Sequence, residues 1–389
     1  MTPDTRPVRA FLEPRHLDLA SAVGAFAATE IAPLPAPRDD GEARVQAREI
    51  LSRLGAGGWL RHVVPAAWGG TSEAPDLRAC CLVREALGSA SPLADAVFAL
   101  QCLGSLPIAL AGSEEQRATW LPRVARGEAM TAFAMTEPEA GSDVAALATT
   151  ARRDGDGWEI DGQKTLISNA GIADVYCVFA ATDRTAGSRG ISCFVVPADA
   201  PGFRFAGAQV LAAPHPLGEL AFEACRPGTG ALLGDEGGGF KLGMRTLDRL
   251  RPTVAAAACG MAARALEEAL AHARARKQFG QPLASFQLVQ EKLAAMAIDL
   301  TAARLLTYRA AWEADRGAER ITLEAAMAKA HATEAAQRIV DQAVQVIGGR
   351  GVLADHPVDR LYRAVRALRI YEGTTEVQHL VIARQLIGL

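Results

Sequence analysis

The sequence predicts an α+β chain in which helices come first, strands fill the middle and helices return. Before about Gly127, apolar residues recur at helical spacing, as in Leu17, Ala20, Val23 and Ala27. Between about Met130 and Gly234, short β-rich runs lie between Gly, Asp and Pro. From about Phe240, long regular helical runs take over. The segregated order excludes a βαβ alternation. A chain of 389 residues is too long for one ordinary core. It divides into 1–129 (α-helical), 130–235 (β) and 236–389 (helical bundle).

Each element has its own signal. IAPLPAPRDDG and VVPAAWGGTSEAP interrupt the first helices and read as loops. DVYCVFAATD and GISCFVVPAD read as strands, and WEIDGQ follows a DGDG turn that closes a hairpin. Phe286, Val289, Leu293, Met296 and Leu300 step by three and four along one helix face. Breaks at Arg316-Gly317 and Gly348–Gly351 divide helices of 20 or more residues, the pattern of an antiparallel bundle.

Composition narrows the function. The 41 basic and 44 acidic residues give a net charge of −3, which draws the chain neither to nucleic acid nor to an anionic membrane. The basic stretch RLYRAVRALR (Arg360–Arg369) alternates with apolar residues and reads as an amphipathic helix. Seven cysteines, without a CxxC pair or Cys/His cluster, suit buried thiols in a reducing compartment and no metal site. The N-terminus lacks the apolar core of a secretory signal. No run of about 18 apolar residues is expected to span a bilayer. A cytoplasmic protein is expected.

Common site signatures are missing. GxGxxG after a strand, GxSxG and HExxH do not occur, and Lys164-Thr165 lacks the preceding glycine of a P-loop. His215, His272, His331, His356 and His379 are scattered, as surface or capping residues would be.

Four distant segments remain. AMTEPEAGSD (134–143) offers the Thr136 hydroxyl and a Gly141-Ser142 turn whose backbone could approach a ligand, although alone it reads as a turn opening the β region. Arg276-Lys-Gln-Phe-Gly280 ends an Ala-rich helix, where a cation compensates the helix dipole or clamps a phosphate. Gln345-Val-Ile-Gly-Gly-Arg-Gly351 carries more glycines than a helix C-cap requires. Ile370-Tyr-Glu-Gly-Thr-Thr-Glu-Val-Gln378 sets Glu372 in a break between helices. There it is either a solvated cap or a base with its pKa raised in an apolar cleft.

Together the four segments resemble the acyl-CoA dehydrogenase family over about Arg15 to Leu389. AMTEPEAGSDVAA matches its first signature throughout, and QVIGGRGVLADHPVDRLYR matches most of its second. The resemblance implies an N-terminal helical domain, a central β-barrel or sandwich and a C-terminal four-helix bundle, assembled as a homotetramer (a dimer of dimers). FAD would lie between the β domain and the bundle. Phe133, Met135, Thr136, Gly141 and Ser142 match flavin contacts, as do Leu166, Ile167 and Ser168 on a second strand. Arg276, Gln278, Phe279, Phe286 and Gln287 match positions that reach the neighbouring subunit's FAD. Gln345, Gly348 and Gly349 match a further stretch along the dinucleotide, with Thr374 and Glu376 after the base.

The resemblance also implies a reaction. Glu372 would remove the α-proton of an acyl-CoA thioester while the β-hydrogen leaves as hydride to the flavin. The backbone N–H of Glu372 would hold the thioester oxygen, giving a trans-2-enoyl-CoA. Electrons would pass to an electron-transfer flavoprotein. Ser142, Asp248, Leu250, Arg251, Tyr371 and Gly373 match substrate-side positions. Leu250 stands where other members carry an alternative base, so Glu372 is the one candidate.

Some positions depart from the pattern. Leu166 replaces an aromatic, Ser168 a threonine, Ala364 an acidic residue and His272 a tyrosine. The loop Leu211–Glu219 lacks the usual basic and hydroxyl groups. An acyl-CoA oxidase and a repurposed, non-catalytic member are the rival readings. A short, branched or cyclic acyl group is the expected substrate.

Overall fold

The computed structural model describes residues 1–388. They form two compact units, one of Met1–Pro35, Leu77–Asp95 and Asp248 onward, the other of Ala36–Asp76 and Ala96–Leu247. The order of elements is helices, strands, helices, as the sequence predicts. It begins with α1 (Pro14–Phe26), α2 (Asp40–Ala56), α3 (Leu77–Ala90), α4 (Pro92–Ala111) and α5 (Glu114–Ala125). The strands are β1 (Thr131–Ala134), β2 (Thr150–Asp154), β3 (Gly157–Ser168), β4 (Val175–Ala181), β5 (Ile191–Pro197), β6 (Phe203–Ala208), β7 (Leu217–Cys225) and β8 (Leu232–Leu233). After α6 (Gly239–Ala275) come the short β9 (Lys277–Gln278) and β10 (Gln281–Pro282), then α7 (Gln287–Asp315), α8 (Thr322–Ile347), α9 (Pro357–Leu368) and α10 (Thr375–Ile387).

Local chemistry sets the helix ends. Ser113 and Gln116 form a reciprocal capping box on α5, with Gln116 N–H to Ser113 Oγ at 3.1 Å and Ser113 N–H to Gln116 Oε1 at 2.9 Å. Asp39 caps α2 through the Glu42 N–H. Gly317 and Gly348, at φ +86° and +72°, follow α7 and α8 and stop them where the sequence places its breaks. The arginine-rich stretch is α9. Val358, Leu361, Ala364, Val365 and Leu368 face inward, while Arg363 and Arg369 pair with Asp359 and Glu334.

In the β unit one eight-stranded mixed sheet runs β6-β7-β3-β2-β4-β5-β8, with β1 parallel to β4. Asp154 pairs with Gly157, so Gly155-Asp156 is a two-residue hairpin turn opening at φ +56°. β4 is buried along its whole length, which explains its unbroken apolar run. The register of β3 against β7 slips between Lys164 and Ile167.

One expectation is corrected. α4 is long and apolar enough, by length and composition, to cross a membrane. Asp95, Gln101 and Ser105 break its run of consecutive apolar residues but do not outweigh the rest of the helix. Most of that stretch is buried in the protein, as in a core helix.

Candidate active site

The turn between α9 and α10 has unusual backbone. Glu372 sits at φ +55°, a conformation costly for any residue with a Cβ, and Gly373 follows at +89°. Three donors from three helices hold the turn's carbonyls in four hydrogen bonds. Arg251 Nε and Gln378 Nε2 donate to the Glu372 carbonyl at 3.1 and 3.2 Å. Lys329 Nζ and Gln378 Nε2 donate to the Gly373 carbonyl at 2.7 and 3.0 Å. A Cβ on Gly373 would meet Gln378 Nε2 at 2.5 Å, so glycine is required there by space as well as by φ.

Arg251 is itself fixed. Its Nη1 meets Asp248 Oδ1 at 2.5 Å, and Thr322 Oγ1 donates to Asp248 Oδ2 at 2.7 Å. Of the predicted substrate-side residues, Asp248, Arg251 and Gly373 thus converge with Glu372, the predicted base. Asp248 acts through Arg251, and the side chain of Leu250 is buried in the core. Thr374 caps α10 by accepting the Val377 N–H at 3.3 Å, and Glu376 lies exposed in the first turn.

The carboxylate of Glu372 contrasts with its well-bonded backbone. Its Oε2 is buried and has no hydrogen-bond partner. Burial raises its pKa; Arg84, Arg251 and Lys329 pull the other way, and Asp95 adds to the rise. Burial depresses the Lys329 ammonium to about 8 despite the nearby Glu372. A partly dry carboxylate with a free lone pair can accept a proton from carbon.

Two further features belong to the bundle unit. β9 and β10 form a hairpin whose turn is Phe279-Gly280, at φ +50° and +80°. Phe279 is 92% exposed and meets Phe286 edge-on, with ring centroids 6.1 Å apart. Arg276, Gln278 and Gln287 are exposed beside it. Near the end of α6, His272 is pushed down by burial and then by Arg350, Arg276 and His356, a gathering of cationic groups. Gln345, Gly348 and Gly349 are exposed, and no atom lies within 4 Å of a Cβ built on either glycine.

In the β unit, the first motif wraps around a buried ion pair. Lys164 Nζ bonds Glu137 Oε1 at 2.7 Å and the Met135 carbonyl at 3.1 Å, and burial lowers its pKa to about 8. Thr136 accepts the Thr165 N–H through its carbonyl at 3.0 Å, which ties the motif to β3. At the slip in β3, Leu166 adopts φ +56° and leaves its side chain 55% exposed. Its N–H donates to Gln209 Oε1 at 2.8 Å. Gly141 and Ser142 are exposed, and Phe133 packs at a tilt against Phe179, with ring centroids 4.8 Å apart. Met135 and Ile167 have buried side chains, so only their backbone is available to a ligand. Ser168 bonds His215, whose pKa burial lowers to about 4.

Sequence reasoning missed Arg84, Asp95, Lys329 and Gln378. The available signal was a charged residue inside an apolar run, as in CCLVREALG and AAMAKAHA.

A strained turn thus presents a half-buried glutamate whose Oε2 has no hydrogen-bond partner, the arrangement a carboxylate base requires. Comparison with known proteins names the class. The acyl-CoA dehydrogenase N-terminal, middle and C-terminal domain models match residues 13–128, 132–225 and 237–387. The human mitochondrial short-chain specific acyl-CoA dehydrogenase is 39% identical, covering 96% of this chain and 90% of its own. A 3-(aryl)acrylate reductase of Clostridium sporogenes is also 39% identical, over 97% and 100%. The butyryl-CoA dehydrogenase structure from Megasphaera elsdenii superposes with a TM-score of 0.91 at 33% identity, covering 97% of this chain and 99% of that one.

The chain belongs to the acyl-CoA dehydrogenase family. It is an FAD-dependent oxidoreductase acting on acyl-CoA.

Proposed function

We propose that this enzyme dehydrogenates a short-chain acyl-CoA to its trans-2-enoyl-CoA, with Glu372 as the base and an electron-transfer flavoprotein as acceptor. The observation that carries the reading is Glu372 itself, a half-buried carboxylate with an unbonded oxygen on a turn whose carbonyls are held by fixed donors. The names of the human relative and the Megasphaera enzyme support a short acyl group.

The open space over Gly348 and Gly349 suits a dinucleotide laid against backbone. The cations around His272 suit its phosphates. Leu166 presents an apolar face suited to the isoalloxazine ring. FAD, when bound, supplies the hydride acceptor. The chain's own part is to hold the thioester oxygen on the Glu372 N–H, exclude water and take the α-proton on the Glu372 carboxylate.

The exposed Phe279 hairpin and the apolar Leu288 and Ile298, 79% and 70% exposed on α7, support assembly as a homotetramer. The seven buried thiols support a cytoplasmic setting.

An anaerobic titration of the holoenzyme with acyl-CoAs of graded chain length tests the reading through the flavin's visible absorbance. Bleaching by short acyl-CoAs, lost in Glu372→Gln, is expected. A bound flavin that no acyl-CoA bleaches would overturn it.

A further inference from the structure

We propose that Gln378 is a positioning residue for the base: its side-chain amide clasps the carbonyls of Glu372 and Gly373 together and so fixes the turn that presents the carboxylate. The inference rests on Glu372 being the base.

Gln378 lies in the first turn of α10, the helix that Thr374 caps. Helical side chains lean back toward the N-terminus of their own helix, which carries this amide over the cap to the turn before it. The residue is 0% exposed. Its Nε2 donates to the Glu372 carbonyl at 3.2 Å and to the Gly373 carbonyl at 3.0 Å, so two consecutive carbonyls point at one atom. In an extended chain consecutive residues face opposite ways, and one amide could not reach both. Here φ of +55° and +89° turns the two carbonyls to the same side. The clasp therefore exists only with the strained backbone and holds it in place.

The surroundings of the turn are secured without Gln378. The Thr375 N–H donates to the Arg369 carbonyl at 3.1 Å, and Glu334 receives Arg369 Nε and Thr375 Oγ1, each at 2.7 Å. Each clasped carbonyl also has a charged donor of its own, Arg251 Nε at 3.1 Å on the first and Lys329 Nζ at 2.7 Å on the second. Removing the amide therefore orphans neither carbonyl. The amide's own Oε1 is buried without a hydrogen-bond partner, which costs folding free energy. Stability alone thus gives glutamine no advantage over an apolar side chain of similar size.

What the amide adds is geometry. Arg251 on α6 and Lys329 on α8 each hold one carbonyl from a separate helix, whereas Gln378 fixes one carbonyl against the other. The Glu372–Gly373 peptide cannot then rotate. Glu372 Oε2 has no hydrogen bond to aim it, so its aim comes from the backbone that Gln378 holds. A base misplaced by about 1 Å can lose about 10²-fold in rate.

The test uses holoenzyme carrying Gln378→Met, which keeps an unbranched chain of similar length and removes both donors, with Gln378→Leu as a second variant. Butyryl-CoA is the probe. Stopped-flow bleaching of the flavin gives the plateau rate and the half-saturating concentration, and urea unfolding gives stability. The plateau rate should fall about 10- to 100-fold while the half-saturating concentration hardly moves. The unfolding midpoint should hold or rise, because a buried unpaired oxygen is removed.

A slower plateau at undiminished stability is a response that a merely structural role would not produce. An unchanged plateau rate would overturn the inference, as would a fall in rate matched by a fall in the unfolding midpoint, or a failure of both variants to fold. In each of these cases Glu372→Gln still abolishes bleaching. Bleaching that survives in Glu372→Gln would remove the base itself.

Discussion

Arg84 and Glu85 are neighbours on α3, both buried and both ion-paired, yet they serve different ends. Glu85 receives Arg304 Nε at 2.7 Å and the Tyr308 hydroxyl at 2.8 Å, deep among the bundle helices. Arg84 is bonded as fully, to Asp95 and Thr253, but its charge also acts on Glu372, against the effect of burial there. Burial and pairing alone therefore do not mark a functional site. What separates the two networks is what their charge acts on: that of Arg84 reaches a carboxylate with an unbonded oxygen on backbone at positive φ, whereas that of Glu85 is met by Arg304 and Tyr308.

The largest effect should come from removing the base itself. Glu372→Gln keeps the shape of the turn and removes the proton acceptor. The rate of flavin bleaching should fall about 10³-fold, near 4 kcal/mol in barrier. The unfolding midpoint should hold or rise, since a buried charge is removed. Stopped-flow absorbance and thermal unfolding on the same sample check both halves.

Breaking the Glu85 side should reverse the pattern. Glu85→Gln leaves Arg304 buried without its anion and should cost about 3–5 kcal/mol of stability. The acid limb of the rate profile should stay where it is, because the charges acting most strongly on Glu372 are Arg84, Arg251, Lys329 and Asp95. Urea unfolding and the pH profile together decide. A shifted acid limb in Glu85→Gln would erase the distinction between the two networks.

Much of the fold was legible because helix and strand periods occupy separate stretches. DGDG predicted the β2–β3 turn, and the Arg360–Arg369 stretch predicted α9. The site was legible only as segments. IYEGTTEVQ pointed to Glu372, but nothing in it foretells that Lys329, 43 residues earlier, holds the next carbonyl. Such partners are set by tertiary packing and leave only an isolated polar letter in an apolar run. Met135, Ile167 and Leu250 show the converse, since a motif match cannot tell a side chain facing a ligand from one facing the core.

Lys329 sharpens the comparison through pH. Its pKa falls from an ordinary 10.5 to about 8 in the fold, so the folded state holds this proton less tightly than the unfolded chain. Between about pH 8 and 10.5 the unfolded chain binds the extra proton, and stability should rise with pH across that window. The gain is about 3 kcal/mol at most. It is complete above the unfolded value and lost as pH falls through the folded one. Chemical unfolding of wild type and Lys329→Met across that range should show the slope in the first and its loss in the second. Parallel curves would mean that Lys329 is not the group titrating.

The smallest effect lies in the β unit, where Leu166 and Ile167 repeat the contrast of adjacent residues with divergent roles. Ile167 is 2% exposed, and Ile167→Val should cost about 1 kcal/mol of stability by losing one buried methyl. Leu166 is strained at φ +56° and half exposed, so its side chain contributes little to the core. Leu166→Gly relieves the strain and adds chain entropy, two changes of about 1 kcal/mol with opposite sign. Apoprotein stability should therefore hardly move, while FAD dissociates faster in gel filtration than from the Ile167→Val enzyme. If Leu166→Gly instead destabilises the apoprotein as Ile167→Val does and retains FAD, the bulge serves the sheet and the exposed leucine has no part in holding the flavin.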